Sequence, residues 1–474
     1  MNQNMNETIQ SGLHEECGVF GVYNLDHTEE VASSVYYGLF ALQHRGQESC
    51  GIAVSDTEAP KAIVKACKGM GLVNEVFNEK KLEKLTGNIA VGHVRYPSAS
   101  TSGEENTLPL VLNYIKGTLA LANNGSLLNV EDLRKQLSQT GAIFQTNSDT
   151  EVIAYLIARE RLTTHCVEDA IKKAMQKLKG AYCLTIMSPR KLIGARDPFG
   201  FRPLCIGKRN NTYFLSSESC GLDAVDAEFV RDVLPGEIVT IDKNGIHSDT
   251  TMCQLEKAPC IFEYIYFARP DSIIDNVSVY NSRIMAGKIL AENHPVEADI
   301  VIGVPDSGTV AAMGYALGSG IPFGVGFIKN SYIGRTFIKP KQSARESAVK
   351  IKLNAIKDVV NGKRVVMVDD SIVRGTTSEK IVRMLKSAGA TEVHVRISSP
   401  PFLYPCYYGT DVPSREHLIA CHNTTEEICK MIGADSLGYL DGERLHELID
   451  GSKQYCEACF TGEYPVAPTK EQDE

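Results

Sequence analysis

The stretch Val366-Met367-Val368-Asp369-Asp370-Ser371-Ile372-Val373-Arg374-Gly375-Thr376-Thr377 decides the fold of the second half of this chain. An apolar strand runs into two acids, then into a loop of small and hydroxyl residues, then into a helix. Loop amides and hydroxyls at a helix N-terminus suit a phosphate monoester. The paired acids suit ribose hydroxyls or a hard cation such as Mg²⁺, which takes one or two carboxylates plus substrate oxygens. Working outward, the pattern predicts a strand at Arg364–Asp370, a loop at Ser371–Gly375, a helix at Thr376–Ala388 and a strand at Glu392–Ser398. Upstream, Ala298–Val304 is a continuous apolar strand leading into Pro305-Asp306-Ser307-Gly308-Thr309 and a helix through Ala316. Strands alternating with single helices predict a parallel sheet covered on both faces.

The first half has another rhythm. Short apolar runs at Gly18–Tyr23, Asn88–Arg95, Thr118–Asn123 and Tyr213–Ser216 are separated by Gly, Asn, Ser and Pro clusters, the pattern of strands and turns. Helical spacing interrupts them at Val31–Gln43, Val130–Gln139 and Thr150–Glu160. A strand at Glu237–Asp242 followed by the turn Lys243-Asn244-Gly245 marks the expected end of this half. Two folds result, α+β then α/β, joined near residues 250–262.

A length of 474 residues accommodates two or three domains. With 43% hydrophobic and 23% charged residues the composition is that of an ordinary globular protein. A formal net charge of −9 argues against general nucleic-acid binding. No run of about 18 apolar residues exists, so no membrane span is expected. Residues Met1 to Glu16 are polar and lack the apolar core of a secretory signal, so a cytoplasmic location is expected. The fourteen cysteines are then expected to be reduced, most of them as small buried hydrophobes.

Cys17, in Glu16-Cys17-Gly18-Val19-Phe20-Gly21, reads on its own as a structural cysteine in an apolar strand. Four further segments change that reading: Leu42-Gln43-His44-Arg45-Gly46-Gln47-Glu48-Ser49, Gly92-His93-Val94-Arg95-Tyr96, Asn123-Asn124-Gly125-Ser126-Leu127 and Asn147-Ser148-Asp149-Thr150-Glu151. Each is a polar or Gly-containing cluster at the end of a predicted element. In this order they resemble the class II glutamine amidotransferases, a family of N-terminal-nucleophile hydrolases, over roughly residues 17–245. The resemblance implies an αββα sandwich over 17–250 and a leader, 1–16, that is removed to leave Cys17 as the N-terminus. A free α-amine, with a pKa near ~7.7–8, can accept the thiol proton where a peptide nitrogen cannot. By the same resemblance Asn124 and Gly125 form the oxyanion hole. Arg95 would hold the α-carboxylate of glutamine and Asp149 its α-ammonium, while Arg45 and Gly46 would line the pocket. Asn123, Ser126 and Leu108 stand where the family usually has His, Asn and Gln, none of them a catalytic position.

The Asp369–Thr377 stretch resembles the phosphoribosyl pyrophosphate motif of type I phosphoribosyltransferases, which implies such a domain over 260–440. Ser371, Gly375, Thr376 and Thr377 would cradle the 5-phosphate. The basic, Gly-punctuated segment Gly334-Arg335-Thr336-Phe337-Ile338-Lys339-Pro340 reads as a lid, with Arg335 and Lys339 countering the pyrophosphate charge. Over residues 17–465 the whole chain resembles the amidophosphoribosyltransferases. That implies transfer of the glutamine amide nitrogen to phosphoribosyl pyrophosphate, the first committed step of purine (IMP) biosynthesis, with one Mg²⁺ per subunit approached by Ser307, Asp369 and Asp370. A sugar-isomerising amidotransferase is the nearest enzymatic rival, and a non-catalytic phosphoribosyl pyrophosphate sensor the rival outside enzymes. The acid-pair motif speaks against the first and the retained Cys17, Asn124 and Arg95 against the second.

Cys456 and Cys459 form a Cys-x-x-Cys pair in a C-terminal extension, 441–474. The spacing alone leaves zinc, redox use or a four-thiol site with the isolated Cys260 and Cys406 open. The resemblance is to the branch of the family with a cleaved leader and a 4Fe–4S cluster, one per subunit, whose ligand positions match Cys260, Cys406, Cys456 and Cys459. It also implies a homotetramer and feedback inhibition by purine nucleotides such as AMP and GMP.

Overall fold

The computed structural model describes residues 17–468 apart from 60–62, 97–101, 255, 331–352, 411 and 413. The expected leader 1–16 and the expected lid residues Arg335 and Lys339 lie outside the described residues.

Strand Gly18–Asn24 is buried at every position, because its two faces serve different layers. Phe20 and Val22 pack with Val35 and Leu39 of helix Ala32–Ala41. Val19 and Tyr23 turn the other way, onto Ala120, Ala122 and Leu192 of a second sheet. The first sheet has seven antiparallel strands, in the order Glu228–Asp232, Cys205–Arg209, Thr212–Ser216, Gly18–Asn24, Ile89–Arg95, Ser49–Ser55, Lys65–Met70. The second has six, ordered Gly245–Asp249, Ile238–Asp242, Lys191–Arg196, Cys183–Ser188, Gly117–Asn124, Leu110–Tyr114. Helices Val130–Gln139, Asp149–Glu160 and Val167–Met175 cover its outer face through Leu133, Leu137, Val152, Leu156 and Ile171. These are the four layers of an αββα sandwich. One expectation is corrected here. Lys243-Asn244-Gly245 does not end the half but turns a two-residue hairpin into a further strand, with Asp242 paired to Gly245, Gly245 supplying the positive φ of +100°.

In the second half, strands Ile300–Gly303, Arg364–Asp369, Glu392–Ile397 and Ser436–Tyr439 lie side by side and parallel. Helices Val279–Asn293 and Ser307–Ser319 cover one face, with Ala286, Ile289, Ala311 and Ala312 packed on Val301, Val366 and Val368. Helices Thr376–Ser387 and Thr425–Ile432 cover the other through Ile381, Leu385 and Ile428. The first two helices touch backbone to backbone, since a Cβ on Gly287 would lie 1.9 Å from the Ala311 carbonyl oxygen. Leu445, Leu448 and Phe460 of the C-terminal stretch join the core on that side. Among the described residues no helix is long and apolar enough to cross a membrane.

Candidate active sites

Cys17 sits at the mouth of the sandwich, one residue before the strand whose Gly18 pairs with Val94. Its thiol donates to the Tyr96 carbonyl at 3.6 Å, and its own carbonyl accepts from Arg45 Nε at 3.1 Å. The neighbouring strand ends in Arg95, buried and donating to the Asn106 carbonyl. Opposite, the second sheet ends its strand in Asn123 and Asn124. His93 Nε2 meets the Asn123 carbonyl at 2.9 Å, tying the two strand ends together across the sandwich. Burial pushes His93 down to about 3, so it is neutral at ordinary pH and Nε2 carries the proton.

The side-chain nitrogen of Asn124 is buried and has no hydrogen-bond partner among the described residues. A buried amide donor left unspent costs stability unless something is there to receive it. Next to it, Gly125 holds φ at +125°, and a Cβ there would lie 2.5 Å from the Ala181 carbonyl oxygen. Two N–H donors at such a corner suit a developing oxyanion. Asp149 starts its helix and accepts from the Leu127 amide at 2.7 Å and Ser126 Oγ at 3.3 Å; burial raises its carboxyl above the ordinary range.

The buried Arg45 guanidinium meets two acids: Nη1 donates to Glu218 at 2.6 Å, and Nη1 and Nη2 fork onto Glu263 at 3.0 and 2.7 Å. Burial opposes ionisation of Glu218, but His44 and Arg45 overcome it and hold the carboxyl well below its usual range. Gly46 follows because the chain passes against the Arg95 strand; a Cβ there would sit 2.6 Å from the backbone N and C of Arg95. Sequence reasoning missed Glu218 and Glu263. A lone acid in the apolar run Ile261-Phe262-Glu263-Tyr264-Ile265 is the signal that could have found the second.

The other site lies at the carboxyl end of the parallel sheet. Asp369 ends its strand, and its Oδ1 accepts from the Asp370 amide at 3.0 Å. Asp370 accepts from the hydroxyls of Ser307 and Ser371. Burial raises both carboxyls, Asp369 well above the usual range with the Asp370 charge adding to it, while Ser307, Ser371 and Arg283 partly oppose the rise at Asp370. Two abutting buried acids of this kind fit a cation and ribose hydroxyls. Gly375, at φ +78°, caps helix Thr376–Ser387, whose first residues Thr376 and Thr377 are exposed.

Cys260, Cys406, Cys456 and Cys459 line one cavity, walled by Phe201, Phe262 and Tyr464 among others. Cys260 and Cys456 are bridged as neighbouring strands, with Ile261 N donating to the Cys456 carbonyl at 3.1 Å. Burial pushes the Cys459 thiol well above its ordinary value, and the other three sulfurs add to it. Among the described residues no three His, Cys, Asp or Glu side chains close on a point fit for one metal ion. Four cysteine thiols on one cavity wall are a donor set that an iron–sulfur cluster takes.

A sandwich with these strand ends, followed by a parallel sheet with this acid pair, defines a glutamine amidotransferase joined to a phosphoribosyltransferase. Residues 98–224 match the glutamine amidotransferase domain and residues 278–398 the phosphoribosyl transferase domain. The chain is 50% identical over 458 residues to amidophosphoribosyltransferase 1, chloroplastic, of Arabidopsis thaliana, covering 96% of this chain and 80% of that one. It is 49% identical over 465 residues to the amidophosphoribosyltransferase of Methanocaldococcus jannaschii, covering 95% and 98%. Among solved structures, glutamine phosphoribosylpyrophosphate amidotransferase from B. subtilis complexed with ADP and GMP superposes with a TM-score of 0.89 at 49% identity, covering 96% of this chain and 98% of the other. The chain belongs to the amidophosphoribosyltransferase family. Its activity is the glutamine-dependent amination of phosphoribosyl pyrophosphate in purine biosynthesis.

Proposed function

We propose that the two half-reactions divide between the two sites as follows. After removal of residues 1–16, the α-amine of Cys17 takes the thiol proton, and the thiolate attacks the glutamine amide carbon. The oxyanion is met by the unspent Asn124 amide and the Gly125 N–H, a role worth ~2.7–4 kcal/mol per donor. Arg95 and Asp149 hold the α-carboxylate and α-ammonium. The C–N bond breaks, the amine returns its proton to the departing ammonia, and water hydrolyses the thioester to glutamate.

At the second site, residues 371–377 hold the 5-phosphate, and Arg335 and Lys339 counter the pyrophosphate. Ammonia attacks C1 as the bond to pyrophosphate breaks, then loses a proton to give phosphoribosylamine. Ser307, Asp369 and Asp370 would hold one Mg²⁺ per subunit, which supplies charge neutralisation for the leaving group. Cys260, Cys406, Cys456 and Cys459 would hold one 4Fe–4S cluster per subunit, joining three separate segments of chain in a structural role. The observation that carries the reading is the buried Asn124 nitrogen, without a partner among the described residues, beside a glycine at positive φ. Cytoplasmic location, a homotetramer and inhibition by AMP and GMP complete the proposal; the B. subtilis relative was solved with ADP and GMP.

The test is an assay of anaerobically purified protein with glutamine and Mg²⁺, with and without phosphoribosyl pyrophosphate, counting glutamate and pyrophosphate. Matched release of the two only when both substrates are present supports the division. Release of neither, from protein shown by mass to begin at Cys17 and to contain iron, overturns it.

A further inference from the structure

The side chain that fixes Cys17 is itself fixed from the other half of the molecule. Arg45 reaches the Cys17 carbonyl with Nε at 3.1 Å and lays both terminal nitrogens on Glu263. Glu263 opens the π-helical turn Glu263–Phe267, in the segment that leads into the parallel-sheet half. That turn is locked at both ends. Before it, Cys260 N donates to the Phe201 carbonyl at 3.1 Å and Ile261 N to the Cys456 carbonyl at 3.1 Å. Across it, the buried Arg283 donates to the carbonyls of Tyr264, Tyr266 and Ala268 at 3.0, 2.9 and 2.6 Å.

A planar guanidinium is oriented by a two-point fork far better than by a single contact. Without the Glu263 fork, Arg45 loses the two-point contact that sets the plane of its guanidinium. The Nε contact to Cys17 then loosens. We propose that Glu263 is a positioning residue for the glutamine-hydrolysing nucleophile, contributed by the phosphoribosyltransferase half, so the hydrolytic site is incomplete without that half. The inference rests on the reading of Cys17 as the nucleophile.

Glu263 touches neither glutamine-binding group, so its loss lowers kcat for glutamine and leaves KM nearly unchanged. Added ammonia bypasses the hydrolytic site altogether and reports whether the rest of the molecule is intact. The experiment compares full-length parent, Glu263→Gln, Glu263→Asp and Cys17→Ala, each with its N-terminus verified by mass. Glutamate release gives kcat and KM for glutamine, and pyrophosphate release is measured with ammonia in place of glutamine. For Glu263→Gln we expect kcat with glutamine to fall about 10–100-fold, at near-parental KM and near-parental ammonia-dependent turnover. Glu263→Asp, which keeps the charge, should fall between Gln and parent. Parental kcat in Glu263→Gln overturns the proposal, as does a parallel loss of glutamine- and ammonia-dependent turnover, the mark of a merely structural junction. If Cys17→Ala still hydrolyses glutamine, the reading of Cys17 fails and the proposal falls with it. A dead Cys17→Ala beside an unaffected Glu263→Gln overturns the proposal alone.

Discussion

Arg45 Nη2 lies 2.7 Å from Glu263 Oε1, with the arginine side chain fully buried and the glutamate 2% exposed, and the pair spans the two halves of the chain. It is not isolated. Arg196 forks onto Asp275 at 2.8 and 2.9 Å, and Arg202 donates to the Tyr408 carbonyl at 2.9 Å and Thr410 Oγ1 at 3.3 Å. In each case the arginine comes from the sandwich and the acceptor from beyond residue 260. A buried charge is tolerable only when paired and fully hydrogen-bonded, so these arginines fit one relative placement of the halves and penalise others. The junction is specified by polar registration as well as by apolar area.

Asn124→Ala separates function from stability. The amide nitrogen it removes has no partner among the described residues, so the melting temperature should change little. Glutamine hydrolysis should fall by about 10²–10³-fold in kcat, the cost of one oxyanion donor. A melting point several degrees lower with modest loss of rate would assign Asn124 to the scaffold instead.

Much of this was legible in the sequence, and the limits were physical. The continuous apolar run before Asp369 and the hydroxyl loop after it give strand, turn and helix by local pattern alone. Asn124 and Gly125 were findable at the close of a strand and Asp149 at the start of a helix, with the resemblance to the amidotransferases supplying their roles. Arg45 was found but its partner was not, since Glu263 lies 218 positions away and pairing across a domain junction has no local periodicity. The hairpin at 243–245 reads as an end in the sequence, because a turn signal looks alike whether or not another strand follows.

Gly46→Ala tests a close approach. Gly46 has extended backbone, φ −156°, so the demand there is steric rather than conformational. A methyl group would press on the backbone of Arg95 and Val94 at 2.6–2.7 Å, and a strand inside a packed sheet gives little. We expect about 1–3 kcal/mol of lost stability and reduced glutamine hydrolysis, read by denaturant unfolding and glutamate release. Unchanged stability would mean the 42–46 segment shifts freely.

The four cavity thiols make a chemical prediction. Cys459→Ser should drop iron from about four atoms per chain towards none and lower the melting temperature, because the cavity wall at residues 260, 406 and 456–459 joins three segments. Aerobic loss of the cluster from the parent should lower it by a similar amount. Iron content preserved in Cys459→Ser would remove that residue from the ligand set.

Asp232 supplies a pH test at the same junction. Burial, with Asp275 beside it, raises its carboxyl to about 6, against an unfolded value near ~3.9. An acid raised on folding favours its neutral form in the native state. That contribution is full below the unfolded pKa and is lost as pH rises through about 6. Asp232→Asn stays neutral throughout, so its stability relative to the parent should improve by about 2–3 kcal/mol between pH 4 and pH 7. Unfolding curves at the two pH values decide it, and a constant difference would contradict the assigned burial cost.

Asp370→Asn should make the phosphoribosyl site more comfortable and less useful. In the parent, Asp369 and Asp370 are both raised by burial, and the Asp370 charge pushes Asp369 higher still. Removing one charge relieves the other, so the ligand-free melting temperature at neutral pH should stay level or rise. The same change takes away half of the acid pair that would hold Mg²⁺ and face the ribose. Pyrophosphate release should therefore collapse, and the thermal stabilisation that Mg²⁺ with phosphoribosyl pyrophosphate gives the parent by mass action should vanish. Glutamate release, which appears only when phosphoribosyl pyrophosphate is also present, should fall with it, although no step of glutamine hydrolysis passes through Asp370. A variant still stabilised by Mg²⁺ and phosphoribosyl pyrophosphate as strongly as the parent would place the cation elsewhere, and the raised acid pair would then be a cost with no ligand to offset it.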